Sequence, residues 1–409
     1  MASPVSPLAV PLPHLPPLAG VRLGATAAGI RYQGRNDLVM IELAAGTTVA
    51  GVFTSSKCPG APIDWCRASL AGGKARGVVV NAGNANVFTG RAGRDACAAS
   101  AAAAAKLIGC PAKQVFIAST GVIGEVLPHE RLTEALPALH AGLRDDSWED
   151  AARGIMTTDT FPKAATRSAL IGEAEVRISG FAKGSGMIAP DMATMLCFVF
   201  TDAKLPADAM QALLKKGVDA SFNCTTVDSD TSTSDTVLLF ATGQAKHPRV
   251  PAEGGSMLAD FARALNAVLL DLALQVVRDG EGAQKLVRVD VSGATTARSA
   301  KRVGLAVANS PLVKTAIAGE DANWGRIVMA VGKAGEPADR DKLSVGVGGV
   351  WMARNGGVVA GYDEGPVTQH MKGHEVSIAI DLGLGRGKAT VWTCDLTHGY
   401  IDINGSYRS

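Results

Sequence analysis

The feature that most restricts the fold of this chain is an alanine-rich segment placed between two short apolar runs. Asp95–Ile108 is rich in alanine, the strongest helix former, and Gly109 provides a stop after it. Gly77–Val80 before this segment and Val115–Ala118 after it are typical of short buried strands. A strand, a helix and a second strand in this order predict a mixed fold of the α/β or α+β class.

Other segments continue the same mixture. Strand-like runs occur at Leu38–Leu43, Val49–Phe53, Glu173–Phe181 and Thr194–Thr201. Helical patterns occur at Ala207–Ala220, Met257–Val277 and Thr296–Ala308. The turn-like Ala44–Thr48 predicts that the first two strands form a hairpin. Glu375–Asp381 and Ala389–Asp395 similarly predict a closing hairpin. Composition marks no clean linker, but we expect a sub-domain boundary near residues 280–285.

Composition and charge restrict the classes of partner. The 409 residues are 47% hydrophobic, which is enough for a large core and for two or three domains. Lys and Arg number 40 against 38 Asp and Glu, no long basic run occurs, and only 5% of residues are aromatic. We therefore expect a small-molecule substrate and no nucleic-acid partner.

The chain also lacks the marks of a secreted or membrane protein. Its seven cysteines are scattered and contain no CxxC pair, which predicts reduced thiols and a cytoplasmic location. The longest apolar stretch, Met257–Val277, is interrupted by Asp260 and Asp271, so no membrane span is expected. His370 and His374 have a spacing seen in metal sites, but no third ligand accompanies them, so no metal is expected.

A glycine-rich bend carries the strongest functional signal. Residues 183–193 read KGSGMIAPDMA, and a β-prone run, TMLCFVFT, begins at Thr194. Composition alone favours an ordinary connection between strands, because such loops are common. The alternative is a self-cleavage site, in which the Thr194 hydroxyl attacks the carbonyl of Ala193 and hydrolysis leaves Thr194 as a new N-terminus. A free α-amino group titrates near pH ~8 and can act as base for its own side chain.

The residues around this bend resemble those of the ornithine acetyltransferase family. KGSGMIAPDMATML is similar to the cleavage signature of that family, and other segments resemble it in family order: AGVFTSSK, NAGNAN, STGVIGE, TTDTFPK, SFNCTTVDSDTSTSDT, VRDGEGA, NSPLVKTAIAGEDANWGRI and NGSYRS. They run from Ala50 to Ser409 and cover most of the chain. Two positions depart from the pattern, since Asp191 stands where Asn is common and Ser409 where Thr is common. The resemblance favours self-cleavage over an ordinary loop.

The resemblance implies an activity and a set of site residues. An acetyl group would pass from N-acetylornithine to Thr194 and then to glutamate, with acetyl-CoA as an alternative donor and no metal or bound cofactor. The implied oxyanion hole consists of Thr120 and Gly121, and the implied substrate-binding residues are Thr157, Lys183, Thr194, Glu281, Asn404 and Ser409. Thr158 has the same side chain as its neighbour Thr157, so that contact could fall on either. On composition alone, residues 119–121 would be a turn, and Lys183 and Glu281 ordinary surface charges.

The resemblance also implies a fold and an assembly. It implies an N-terminal-nucleophile type of acyltransferase fold, in which sheets are sandwiched with helices. Cleavage would give an N-terminal chain, 1–193, and a C-terminal chain, 194–409, which would associate as an α2β2 heterotetramer. Two other function classes stay open on the residues themselves. An N-terminal-nucleophile hydrolase would pass the acyl group to water instead of an amine, and a non-enzymatic α/β scaffold would not cleave.

Overall fold

The computed structural model describes residues 4–189, 195–252 and 254–405. The chain divides into two compact units. The first unit comprises Pro11–Asn223 and Asp230–Val276, and the second comprises Met1–Val10, Cys224–Ser229 and Val277–Ser409. Within the described ranges, no helix is both long and apolar enough to cross a membrane.

The strands of the described ranges follow one another in chain order as β1 (Val21–Thr26), β2 (Leu38–Leu43), β3 (Thr48–Phe53), β4 (Gly77–Asn84), β5 (Val115–Val122), β6 (Lys163–Ile171), β7 (Ala174–Lys183), β8 (Leu196–Thr201), β9 (Thr236–Ala241), β10 (Leu286–Ala294), β11 (Ser344–Val347), β12 (Val350–Arg354), β13 (Gly357–Val358), β14 (Glu375–Asp381) and β15 (Gly387–Cys394).

The α-helices of the described ranges are, in chain order, α1 (Ala61–Leu70), α2 (Gly90–Ile108), α3 (His129–Ala141), α4 (Trp148–Gly154), α5 (Ala207–Ala220), α6 (Ala259–Arg278), α7 (Ala297–Ala308), α8 (Pro311–Ala318), α9 (Trp324–Gly332), α10 (Glu364–Met371) and α11 (His398–Asn404). This mixture confirms the predicted α/β class. The helices predicted at Ala207–Ala220 and Thr296–Ala308 are present, and Thr296 caps α7 by accepting the Ser299 N–H.

The first unit is built on two sheets that face each other. One sheet has the order β1-β2-β4-β5, and the other has the order β3-β9-β8-β7-β6. Alternate residues of the first sheet, such as Val39 and Phe116, share a core with the second sheet, where the rings of Phe116 and Phe240 meet edge to face. The intervening residues, such as Met40 and Ile117, pack against α2 and α3. Burial on both faces explains why these strands read as continuous apolar runs.

The second unit has a sheet of its own, with the order β13-β12-β11-β14-β10-β15. β10 pairs in parallel with β14 and antiparallel with β15. Val287, Val289 and Val291 of β10 are buried while Arg288 is exposed, so buried apolar residues alternate with more exposed polar ones along this strand.

Both predicted hairpins are wrong. β2 and β3 belong to different sheets, because β2 lies between β1 and β4 while β3 pairs with β9. β14 and β15 do not pair with each other either, because β10 lies between them. In each case the local pattern identifies the strands and the connection, but the partner is chosen by burial in a sheet whose other strands are distant in sequence.

Candidate active site

Thr120 and Gly121 lie near the end of β5, where β5 pairs in parallel with β4. The Thr120 side chain is 1% exposed, and its hydroxyl Oγ1 has no hydrogen-bond partner among the described residues. Burying a hydroxyl without a partner costs free energy, so such a group in a native fold needs an explanation. A hydroxyl kept for a transient ligand atom is one such explanation.

The neighbouring Gly121 cannot carry a side chain. Its φ is +131°, and a Cβ built there would lie 2.2 Å from the carbonyl carbon of Gly83 in β4. The backbones of β4 and β5 therefore approach closely at the point where the resemblance places the oxyanion hole.

Two asparagines in the second half of β4 hold this region through hydrogen bonds. Asn81 Nδ2 donates to Asn84 O over 2.8 Å, and Asn81 Oδ1 accepts the Ser119 hydroxyl over 2.6 Å. Asn84 Nδ2 donates to Glu125 O over 3.1 Å. These amides therefore support the surrounding structure. They tie Ser119 and Glu125, which lie on either side of Thr120 and Gly121 in the sequence, to β4.

Lys183 ends β7 as a buried cation. Its side chain is 3% exposed, and Nζ donates to the Thr157 hydroxyl over 2.7 Å. The Thr158 hydroxyl lies instead 2.6 Å from that of Ser185. Of the two adjacent threonines, Thr157 is thus the one that contacts Lys183.

Asp159 organises this cluster. Its Oδ1 accepts hydrogen bonds from Lys163 Nζ over 2.7 Å and from the Gly184 N–H over 2.6 Å. Its Oδ2 accepts the Thr157 N–H over 3.0 Å and lies 3.6 Å from Lys183 Nζ. Burial alone would raise the pKa of Asp159, but the charges of Lys163 and Lys183 outweigh it and hold that pKa below its usual value. A carboxylate shared by two buried ammonium groups thus fixes Lys183.

Asp235 fixes the backbone at the start of β8. Its Oδ1 accepts the N–H of Met195 over 3.1 Å, and the carbonyl of Met195 accepts the Thr236 N–H over 3.1 Å. Oδ2 of this buried carboxyl has no hydrogen-bond partner among the described residues. Burial raises the pKa of Asp235 well above its usual value, although the hydrogen bond from the Met195 N–H acts against the rise. The residue that follows Thr194 is therefore anchored by two hydrogen bonds.

Glu281 and Asn404 meet within the second unit. Asn404, at the end of α11, donates from Nδ2 to Glu281 Oε2 over 2.7 Å and to the carbonyl of Tyr400 over 3.0 Å. Thr397 caps α11 and donates its hydroxyl to the carbonyl of Gly282 over 2.6 Å. Two residues 123 positions apart, each predicted to bind substrate, are thus brought into contact.

Three predicted residues fall outside the described ranges. They are Ala193 and Thr194 at the cleavage site and Ser409 at the end of the chain. The strands on either side of the predicted cleavage site, β7 and β8, are adjacent in the sheet. They pair antiparallel, from Ile178 opposite Thr201 to Lys183 opposite Leu196.

Comparison with known proteins identifies the family. The model described as the ArgJ family matches residues 22–409. The chain is 65% identical over 406 residues to the arginine biosynthesis bifunctional protein ArgJ of Gluconobacter oxydans, covering 99% of this chain and 96% of that protein. The chain belongs to the ArgJ family. The protein of the same name from Brucella suis is 57% identical over 413 residues, and the match covers 100% of this chain and 100% of that protein.

Solved structures of ArgJ family proteins also match in part. The crystal structure of the arginine biosynthesis bifunctional protein ArgJ from Bacillus halodurans matches at 38% identity with a TM-score of 0.49, covering 51% of this chain and 98% of that one. The ornithine acetyltransferase of Mycobacterium tuberculosis complexed with ornithine matches at 30% identity with a TM-score of 0.38, covering 44% and 94%.

Sequence reasoning missed three residues of this ArgJ family site. Asp159 and Lys163 lie in the familial TTDTFPK segment and Asp235 in SFNCTTVDSDTSTSDT, but their positions alone suggested no role. Acidic and basic residues are mostly exposed, so residue type alone predicts that these three residues lie at the surface. The side chains of Asp159 and Lys163 are fully buried instead, and because this segment is not helical, their spacing in the sequence did not indicate a pair.

We expect Asp159→Asn to destabilise the fold strongly. The change removes the carboxylate between two buried ammonium groups, and breaking such a pair costs about 3–5 kcal/mol. Because the folded pKa of Asp159 lies below its unfolded value of ~3.9, its stabilisation is present above about pH 4 and is lost as pH falls through the folded pKa. Urea unfolding at pH 7, with both proteins at the same concentration, measures the loss in the free energy of unfolding.

The matched control for this prediction is Asp95→Asn. Asp95 pairs with Arg91 over 3.5 Å on the surface of α2, where 65% of its side chain is exposed. Exposed pairs contribute about 1 kcal/mol or less. Equal losses of stability in the two variants would contradict a special role for the buried cluster.

Proposed function

We propose that this chain transfers the acetyl group of N2-acetyl-L-ornithine to L-glutamate, giving L-ornithine and N-acetyl-L-glutamate. The transfer proceeds through an acetyl ester on Thr194, which self-cleavage after Ala193 has exposed as an N-terminus. The relatives that span the whole chain are named arginine biosynthesis bifunctional proteins. The observation that carries the chemistry is the buried Thr120 hydroxyl, which has no partner among the described residues and stands beside the close approach of Gly121 to Gly83.

Self-cleavage begins with the Thr194 hydroxyl. Its oxygen attacks the carbonyl carbon of Ala193, and the peptide C–N bond breaks to give an ester and a free amine on Thr194. Water then hydrolyses the ester, which restores the hydroxyl and leaves Ala193 with a carboxylate. The order of strands supports a stable product, because β7 from the N-terminal chain and β8 from the C-terminal chain are hydrogen-bonded neighbours.

Both product chains contribute to the same sheet. In the order β3-β9-β8-β7-β6, the strands β3, β6 and β7 precede the cut, while β8 and β9 follow it. Phe181 and Phe198, which lie on opposite sides of the cut, have ring centroids 5.6 Å apart in the core. We therefore expect the chains 1–193 and 194–409 to stay associated after cleavage.

Acetyl transfer repeats the same chemistry in two steps. The α-amino group takes the proton of the Thr194 hydroxyl as the oxygen attacks the acetyl carbonyl, and ornithine leaves as the amine. The amine of glutamate then attacks the ester, and N-acetylglutamate leaves as the hydroxyl is restored. Each step forms a tetrahedral oxyanion, for which the Thr120 hydroxyl and the Gly121 N–H are suitable donors. Because Thr194 accepts the acetyl group before the second substrate takes it, we expect ping-pong kinetics.

Substrate recognition in this proposal uses charge. Lys183 binds a substrate carboxylate together with Thr157, and Glu281 with Asn404 binds a substrate ammonium, with Ser409 as a further contact. Asn404 supplies both donor and acceptor atoms for an amino acid. Acetyl-CoA serves as a second acetyl donor to Thr194, and no bound cofactor is required. We further propose that the enzyme works in the cytoplasm as an α2β2 heterotetramer.

Denaturing mass spectrometry of freshly purified protein tests the proposal. We expect two fragments, 1–193 and 194–409, and Edman sequencing of the second should read TMLCFVF. N-acetylornithine alone should add one acetyl group to the second fragment, and glutamate should remove it. A single uncleaved chain would favour a non-enzymatic scaffold. Rapid release of acetate without glutamate would favour a hydrolase.

A further inference from the structure

A cavity of the first unit lies away from the residues considered above. It has a volume of about 1300 Å³ and is formed where β8 and β9 end and β3 begins. Its lining includes Thr48, Ala241 and the connections at residues 204–206 and 242–250. Ala241 lies five positions after Thr236 in β9, and Thr236 contacts Met195, so the cavity and the start of β8 are about 17 Å apart along the strand.

The cavity is strongly basic. Lys74, Lys204, Lys246 and Arg249 line it, and its lining contains no Asp or Glu. None of these four cations has a carboxylate within 4.0 Å among residues 4–189, 195–252 and 254–405, whereas many arginines elsewhere are ion-paired. Because the whole chain carries a formal charge of only +2, this concentration of positive charge is local. A cleft lined by one sign of charge attracts counter-ions of the opposite sign.

The walls of this basic cleft are fixed by hydrogen bonds between its two connections. His247 Nε2 accepts the N–H of Lys204 over 2.8 Å. The N–H groups of Gly243 and Ala245 donate to the carbonyls of Ala203 and Asp202 over 3.0 and 2.8 Å. The backbone that carries three of the cations is therefore organised before any ligand arrives, which lowers the entropic cost of binding.

We propose that the basic cleft binds the diphosphate group of a small phosphorylated molecule. Lysine and arginine are the side chains that bind phosphate oxygens, through charge-assisted hydrogen bonds. The cavity is far larger than one phosphate needs, and Pro206 and Pro248 line it with apolar surface for the rest of a nucleotide. This site is separate from the residues proposed for acetyl transfer, so the proposal does not depend on the proposed function.

Calorimetric titration at low salt tests this site with pyrophosphate, ADP and coenzyme A as probes and adenosine as the uncharged control. We expect the diphosphates to bind and adenosine not to bind. Lys204→Gln/Lys246→Gln should weaken binding at least about tenfold, because each lost charged hydrogen bond alone is worth that factor. Added salt should also weaken binding. Tighter binding of ADP or coenzyme A than of pyrophosphate identifies a nucleotide as the ligand, and equal binding identifies free diphosphate.

The matched control is Lys215→Gln/Lys216→Gln. These two lysines are exposed on α5, do not line the cleft and change the net charge by the same amount. The proposal requires this variant to bind like the wild type. It is overturned if no diphosphate binds, if adenosine binds as tightly as ADP, or if both double variants lose affinity equally. Acetyl transfer by both variants should match that of the wild type.

Discussion

Thr194→Ala is expected to leave the chain uncleaved and to abolish acetyl transfer. One hydroxyl performs both reactions in the proposed mechanism, and alanine supplies no oxygen for either. Loss of a catalytic nucleophile lowers turnover on the order of 10⁴-fold or more, because what remains is binding and oxyanion stabilisation. Denaturing gels report the cleavage, and a steady-state assay with N-acetylornithine and glutamate reports the transfer.

Thr194→Ser separates this role from a general effect of substitution. Serine keeps the hydroxyl but loses the β-branch that restricts the side chain to few conformations. We therefore expect it to process and to retain part of the activity. An uncleaved Thr194→Ala protein with full transferase activity would refute the shared nucleophile.

The structure next to Thr194 supports the proposal that both reactions use one position. β8 begins at Leu196, two residues after Thr194, and Asp235 and Thr236 hold both backbone groups of Met195. Cutting the chain leaves those hydrogen bonds in place, since Met195, Asp235 and Thr236 all belong to the C-terminal product. In the proposed mechanism, the C-terminal product would therefore begin next to a strand whose register is fixed on both sides by β7 and β9.

Local sequence signals predicted the elements of the fold better than their pairing. The helix at Ala207–Ala220 has the predicted bounds, and α2 contains the whole predicted segment Asp95–Ile108. The hairpin predicted around Ala44–Thr48 failed, although β2 has the predicted bounds. Propensity and periodicity depend on neighbours in sequence, whereas strand pairing depends on distant strands such as β9 and β4.

The candidate site shows the same limit at the level of side chains. The resemblance singled out Thr157, Lys183, Glu281 and Asn404, and the structure pairs the first two and the last two. No sequence pattern indicated that Asp159 would lie between Lys163 and Lys183, because the second contact joins residues 24 positions apart across two strands. A buried charge network of this kind is recognised from its geometry, not from residue types that usually occupy the surface.

Thr120→Val is expected to lower kcat about 100- to 1000-fold without loss of stability. Removal of one well-placed oxyanion donor costs that factor. Stability should not fall, because the Thr120 hydroxyl is buried and has no partner among the described residues to lose. Valine has nearly the same shape and removes the cost of burying an unpaired hydroxyl, so the free energy of unfolding should be unchanged or higher by about 1 kcal/mol.

Thr201→Val provides the matched control for that result. Thr201 is fully buried at the end of β8, but its hydroxyl oxygen accepts the Ala203 N–H over 3.2 Å. Its replacement should leave a buried donor unpaired and cost about 1–3 kcal/mol of stability, with little change in kcat. Urea unfolding and initial rates measured on both variants give opposite patterns if Thr120 is catalytic. If Thr120→Val loses stability and keeps its kcat, the hydroxyl of Thr120 is structural and the oxyanion must be stabilised by other donors.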